Sequence, residues 1–262
     1  MQPLYTAENT DSAYQLNWSL SLFGKTALPS QENWLQDLSV ATEPDGVRLL
    51  SAVNRSDNVI QFLVSTKPQS SPSDIVQSVK GRLQYLIRDQ IPSAFRRNYY
   101  ISSVGDAKST VLDQYVAGQT EKHPMAAPNV QSRIAGMQFC DASIDLSKPM
   151  IGTYGQYLNS LQMVFENAEG WHDVSEDRLS RVRQIIVASA KKKSWRLSRI
   201  GLLSNHIHIL LGAGVTEPPQ SIALSLMNNI AYVYEMKPIL KYSFYAGTFG
   251  SYDRGVIWQN QS

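Results

Sequence analysis

The 262-residue chain has one cysteine, which excludes an intramolecular disulfide framework and a multi-cysteine zinc ribbon and favours a reducing compartment. Cys140 itself reads as a small buried apolar residue. Nowhere do about eighteen apolar residues follow one another, as a spanning helix requires. The N-terminus shows no basic stretch leading into an apolar run. Neither membrane insertion nor export is therefore indicated, and a cytoplasmic location is expected. The formal net charge of +2 is too small to mark nucleic-acid binding, which needs a basic face rather than a basic average. There is no Gly-Lys loop of the kind that cradles nucleotide phosphates. Histidines are scarce, only four in all.

A hydrophobic content of 43% and a charged content of 18% are those of a chain that buries a real core. Internal similarity decides between one large domain and two smaller modules. Ser71 to Arg88 and Pro218 to Glu235 align without a gap at an offset of 147, pairing Ile75 with Ile222, Ser78 with Ser225 and Tyr85 with Tyr232. Each opens on Pro/Ser turn residues and continues with apolar residues at helical spacing, so each is read as a capped helix. Before each lies an apolar run, Val59 to Val64 and His206 to Leu211, read as a buried strand. After each, at an offset of 145, comes an aromatic strand ending in glycine, Tyr99 to Gly105 and Phe244 to Gly250. Ala13–Ser21 and Gln156–Phe165 are candidate first strands, and Gln31–Leu38 and Asp177–Lys191 candidate first helices. Gly46–Val53 and Ser194–Leu203 supply one further strand each. The order repeats, so the chain reads as an internal duplication: a first module over 1–119, a linker over 120–148 and a second module over 149–262.

His206 and His208 stand two apart on a predicted strand, so both imidazoles leave one face and are able to hold one cation. They are equally read as polar strand residues facing solvent; as ligands, their softness permits zinc, manganese, iron or nickel. Tyr115 and Gln119 lie in Thr110–Gln119, an amphipathic helix by its apolar spacing, and a separation of four places both on one face. Arg178, Arg181, Arg183, Lys191, Lys192, Lys193, Arg196 and Arg199 crowd one stretch around Trp195. On charge alone that stretch is a solvated helix surface.

These pieces together resemble the single-tyrosine HUH transposases of bacterial insertion sequences and their REP-associated relatives. The resemblance rests on Asn205-His206-Ile207-His208-Ile209-Leu210-Leu211, the turn and helix after it, the strand ending Ser103-Val104-Gly105, and Tyr115 with Gln119. It implies an α+β fold of two tandem ferredoxin-like modules, antiparallel sheets with helices on one side, forming an intramolecular pseudo-dimer. It also implies a divalent metal, Mg²⁺ or Mn²⁺, on His206, His208 and Gln119, with Tyr115 attacking single-stranded or hairpin DNA to leave a 5′-phosphotyrosine. A phenol with an unperturbed pKa of ~10 needs such help to attack near neutrality. Val59 and Gln61 stand where the histidine pair would be in the first half. Asn260 stands at the tyrosine position of the second, where the chain ends before an equivalent helix. One composite site is expected to survive, in trans between the modules of a monomer, with further association of chains supplying a second tyrosine where two cleavages are needed. Under this resemblance Lys191, Lys192, Lys193, Trp195, Arg196, Arg199, Arg96 and Arg97 become candidate DNA contacts, with Tyr99, Tyr100, Phe244 and Tyr245 as candidate stacking aromatics. The competing expectation is a catalytically inactive hairpin-binding regulator. A zinc hydrolase ranks below both, lacking a third ligand and a general-base carboxylate.

Overall fold

The computed structural model describes residues 2–119, 127–169 and 171–252. The first half runs β1 (Asp11–Gln15), β2 (Asn17–Gly24), α1 (Leu35–Thr42), β3 (Val47–Ser56), β4 (Val59–Thr66), α2 (Pro72–Ile87), β5 (Phe95–Val104) and α3 (Ser109–Ala117). Then follow α4 (Pro128–Met137), β6 (Phe139–Cys140), β7 (Met150–Gly152) and β8 (Gly155–Leu158). The second half is β9 (Ser160–Glu166), α5 (Glu176–Lys193), β10 (Arg196–Leu202), β11 (His206–Gly212), α6 (Pro219–Val233) and β12 (Ser243–Thr248).

Local chemistry accounts for the boundaries. Helix α2 starts where the Ser71 hydroxyl accepts from the Asp74 N–H, the Asp74 carboxylate accepts from the Ser71 N–H, and Pro72 takes the first helical position. Its Ile75, Val79 and Leu83 recur on one face and are buried. In β2, Trp18, Leu20 and Leu22 alternate with Ser19 and Ser21. The apolar set enters a core with Phe62, Ile75 and Val79, and the serines take the opposite face. The second half builds a separate core from Leu161, Met163, Ile186, Ile209, Ile222 and Leu226.

Each half is a β-α-β-β-α-β unit whose strands are ordered β3-β4-β2-β5 in one sheet and β12-β9-β11-β10 in the other, the same ferredoxin-like arrangement twice. The first strands differ from expectation. Ala13–Ser21 and Gln156–Phe165 are not single strands, because each divides between the two sheets. Strand β2 is central in its own sheet, whereas β1, one residue upstream, pairs in parallel with β12 of the other half. Likewise β9 is central in the second sheet, while β8 pairs in parallel with β5 of the first.

Where the halves meet, the contacts come in reciprocal pairs. The Ser160 N–H donates to Ser103 Oγ (3.1 Å), and the Asn17 N–H donates to Thr248 Oγ1 (2.8 Å). Ser103 Oγ donates to the Phe249 carbonyl (3.1 Å), and Thr248 Oγ1 to the Val104 carbonyl (2.7 Å). Such self-complementary pairing is the signature of a two-fold interface, here inside one chain. Gly105 sits at this crossing, and a Cβ on it would lie 2.3 Å from the Thr248 carbonyl oxygen. The fold is thus an α+β intramolecular pseudo-dimer.

Part of the segment expected as a linker is built into the second half. Strand β6 extends its sheet by pairing with β10, and Ile134 of α4 packs with Leu179 and Leu203. Cys140, expected in the core, lies exposed on that edge strand. Among the described residues no helix is long and apolar enough to cross a membrane.

Candidate active site

Strand β11 pairs with β9 so that His206 faces Glu166 and His208 faces Val164, and Ile207 between them points into the core. The two imidazoles leave the sheet together, ring centroids 4.9 Å apart at 70°. The Asn205 amide oxygen lies 2.8 Å from His206 Nδ1. A carbonyl oxygen only accepts, so this contact favours the tautomer with the proton on Nδ1 and the lone pair on Nε2. His208 is buried, with 6% exposure.

The tyrosine helix comes from the other half. After β5, α3 leaves its own sheet and lies on β10: Val116 is buried, and a Cβ on Gly201 would meet Val116 Cγ1 at 2.8 Å. Two N–H groups of Arg199 donate to Asp113, Nε to Oδ1 at 2.7 Å and Nη2 to Oδ2 at 2.6 Å. This clamp turns Tyr115 towards the histidines, its ring 5.9 Å from that of His208 at 73°. Tyr115 thus stands against His208 rather than against Val59 and Gln61.

Helix α3 is shorter than expected, ending at Ala117 with Gly118 as its cap. Gln119 follows that cap and is buried, with neither Oε1 nor Nε2 hydrogen-bonded among the described residues. A buried amide without a partner is costly, which makes this side chain suited to a ligand. No cluster of three His, Cys, Asp or Glu side chains fit to hold a metal exists among the described residues. The Gln119 amide oxygen is of a chemical type able to ligate a hard divalent cation.

The equivalent place in the first half is closed. Gln61 Nε2 donates to Ser19 Oγ, and Arg55 Nε donates to Gln61 Oε1, both at 2.6 Å. Tyr252, from the end of the second half, lies over this patch. Asn260 falls outside the described residues.

The histidines open into a cleft of about 650 Å³ whose walls include Glu166, Glu169, Trp171, His172 and Lys241, none singled out from the sequence. They lie at the end of β9, on the loop after it and just before β12, without periodic or motif signal, and only the fold gathers them. Lys241 pairs with Glu166 and, with His206 nearby, holds that carboxyl below the usual range against the opposing effect of burial.

The expected DNA contacts divide. Lys191, Lys192 and Lys193 are exposed on the last turn of α5, where cations complement the helix dipole, and Arg96 and Arg97 are exposed at the start of β5. Three others are corrected. Trp195 is buried with its indole N–H donated to Glu217, so it offers no stacking face. Arg196 donates to the Asp145 and Lys148 carbonyls, and burial lowers its pKa. Arg199 is spent on Asp113. Tyr100 and Phe244 are buried, and Tyr99 and Tyr245 are half-buried with burial raising their phenol pKa values.

No curated protein matches the chain. Among solved structures, a candidate transposase from Deinococcus radiodurans R1 is 19% identical, covering 41% of this chain and 92% of its own, at a TM-score of 0.32. The REP-associated tyrosine transposase bound to a REP hairpin is 9% identical, over 39% of this chain and 61% of that one, also at 0.32. An unknown protein from Galdieria sulphuraria is 10% identical over 84% of this chain and 92% of its own, at 0.21. Likeness this loose decides neither fold nor chemistry. The sequence is more informative: residues 34–119 match the model of the family described as "Transposase IS200 like". That match runs from α1 to the tyrosine helix and ends on Gln119, so the first half of the chain is similar in sequence to the IS200-like transposases.

Proposed function

We propose that the chain nicks and rejoins single-stranded DNA at one composite site, with Tyr115 as nucleophile and His206, His208 and Gln119 as ligands of Mg²⁺ or Mn²⁺. The observation that carries this is the Tyr115 ring standing 5.9 Å from His208, from the opposite half of the molecule. A bound divalent ion would neutralise charge developing on the scissile phosphate and orient it for in-line displacement. Tyr115 Oη, giving up its proton to water in the open cleft, attacks phosphorus. The P–O3′ bond breaks, the departing 3′ oxygen takes up a proton, and the 5′ phosphate stays on the tyrosine. A DNA 3′-hydroxyl reverses the step, so the phosphodiester is conserved and no nucleotide cofactor is required. Helix α3 contributes orientation, because its clamp removes rotational freedom from the phenol before DNA arrives.

The test is incubation with end-labelled hairpin-bearing single-stranded DNA and Mg²⁺ or Mn²⁺, followed by a denaturing gel. A covalent band is expected from the wild type and is lost with Tyr115→Phe while hairpin affinity stays nearly unchanged. His206→Ala and His208→Ala should lose both the band and Mn²⁺ binding measured by calorimetry. Equal adduct from Tyr115→Phe would reject the assignment. The closed patch around Gln61 favours one alternative, a hairpin-binding regulator descended from a transposase, which binds the same DNA and never yields a band.

A further inference from the structure

We infer that Trp171 is a stacking wall for one unpaired nucleobase next to the histidine pair. The inference rests on single-stranded DNA being the substrate, and it adds a recognition residue to that reading. Trp18, Trp34 and Trp195 are 0%, 3% and 6% exposed, whereas Trp171 is 37% exposed and lines the same cleft as His206 and His208.

The side chain is held where it stands. The Trp171 N–H donates to the Ala168 carbonyl (2.9 Å), and Asn167 Nδ2 donates to the Trp171 carbonyl (3.3 Å) and to that of Ser204 (3.0 Å). The Asn167 N–H donates to the Asn205 carbonyl at 2.7 Å, so this loop and the turn opening the histidine strand are one frame. Tyr234 meets the indole edge-on, centroids 6.1 Å apart at 83°, and its hydroxyl is fixed by Asp173 Oδ2 at 2.8 Å. Asp173 in turn accepts from Arg178. An exposed indole with a preset orientation loses little entropy on taking a flat partner.

Charge selects which part of a nucleotide goes there. Glu169 lines the cleft two residues from Trp171, and a carboxylate there disfavours a backbone phosphate beside the indole but not an uncharged base, whereas Glu166, opposite His206, is paired with Lys241. The first half supplies the contrast: in the loop after β2, Trp34 is turned into the core, its indole N–H donated to the Pro29 carbonyl. Among the described residues, a tryptophan faces solvent only in the half that keeps the histidines. Stacking reads ring area rather than hydrogen bonds, so a purine should be favoured over a pyrimidine at the position served.

The experiment uses the full chain and a fluorescent hairpin carrying a single-stranded extension, with one abasic residue walked along the extension. Anisotropy reads equilibrium affinity in Mg²⁺, and the covalent-band assay runs in parallel. Wild type should lose on the order of tenfold in affinity at one abasic position, Trp171→Ala should lose a similar factor on intact DNA and nothing further at that position, and Trp171→Phe should keep most of the affinity. Thermal melts confirm that both variants fold. Wild-type affinity and wild-type abasic sensitivity in Trp171→Ala would overturn the wall, even if the covalent band forms. Trp171-dependent, abasic-sensitive binding without a band would instead overturn the nicking activity and keep the wall. No binding to any of these DNAs overturns both.

Discussion

Replacing Asp113 by alanine removes the ionic link between the tyrosine helix and the half it serves. The pair is bidentate and unevenly buried, with Arg199 16% and Asp113 41% exposed. It therefore lies between an exposed pair, worth roughly 0–1 kcal/mol, and a buried one whose breaking costs roughly 3–5 kcal/mol. About 2 kcal/mol is a fair centre, since Arg199 would keep a mostly buried, unpaired guanidinium. Among the described residues, α3 is otherwise anchored by Val116, buried with Leu146, Leu210 and Phe249, and by Leu112, partly buried beside them. If the loss falls wholly on docking, the population with Tyr115 over His208 drops by about thirtyfold, since ~1.4 kcal/mol is tenfold. The assay is the rate of covalent adduct formation at saturating hairpin DNA, where affinity no longer matters. Asp113→Ala should slow that rate by about ten- to thirtyfold with the half-saturating DNA concentration little changed. The exchange Asp113→Arg with Arg199→Asp should recover part of it, whereas either change alone should not. An unaltered saturating rate in Asp113→Ala would refute the idea that this clamp positions the nucleophile.

Three further outcomes are expected. Gly201→Ala puts a methyl group against Val116 Cγ1, so it should destabilise by roughly 1–3 kcal/mol in a urea melt and slow adduct formation; wild-type behaviour in both would mean α3 is not packed there. Replacing Lys191, Lys192 and Lys193 together by alanine should weaken DNA binding and flatten its dependence on salt, because fewer phosphate contacts release fewer counterions; an unchanged slope returns them to a helix-capping role. Arg82 first, and then the Ser78 hydroxyl, hold the Asp45 carboxyl down at about 2. A depressed carboxylate stabilises fully above its unfolded value of ~3.9 and ceases to as pH falls through its folded value. Asp45→Asn should therefore reduce stability at neutral pH and narrow its gap to wild type between about pH 4 and pH 2, and a pH-independent gap in acid melts would contradict this.

The repeated β-α-β-β-α-β order was legible because each half writes it in strong patterns: Ile75, Val79 and Leu83 at helical spacing, Trp18, Leu20 and Leu22 alternating. The strand exchange was not. Ala13–Ser21 reads as one strand because a chain passing between two sheets keeps extended geometry and apolar alternation throughout, and Leu16, where it crosses, is itself buried. His206 and His208 were visible by their spacing, and Tyr115 by its helix. Trp195, Arg196 and Arg199 misled because composition counts a basic, aromatic stretch without saying which way each side chain points. Arg199 was claimed by Asp113, 86 residues away, a partner that sequence order conceals. Trp171 and Lys241 belong to loops, where neither periodicity nor motif marks them.

The shared strands also govern the order in which the molecule can be assembled. Strand β1 is made first, yet its partner β12 lies more than two hundred residues later, and β5 waits for β8 to complete its sheet. Contacts this distant in sequence raise contact order and slow folding. Until β8 emerges from the ribosome, the β5 edge stays unpaired, a template for another chain's strand. The first half made alone would keep that open edge, and two such halves have the complementary β1 and β5 segments with which to capture each other. Fusing the halves makes that capture intramolecular, at a local concentration no pair of separate chains attains.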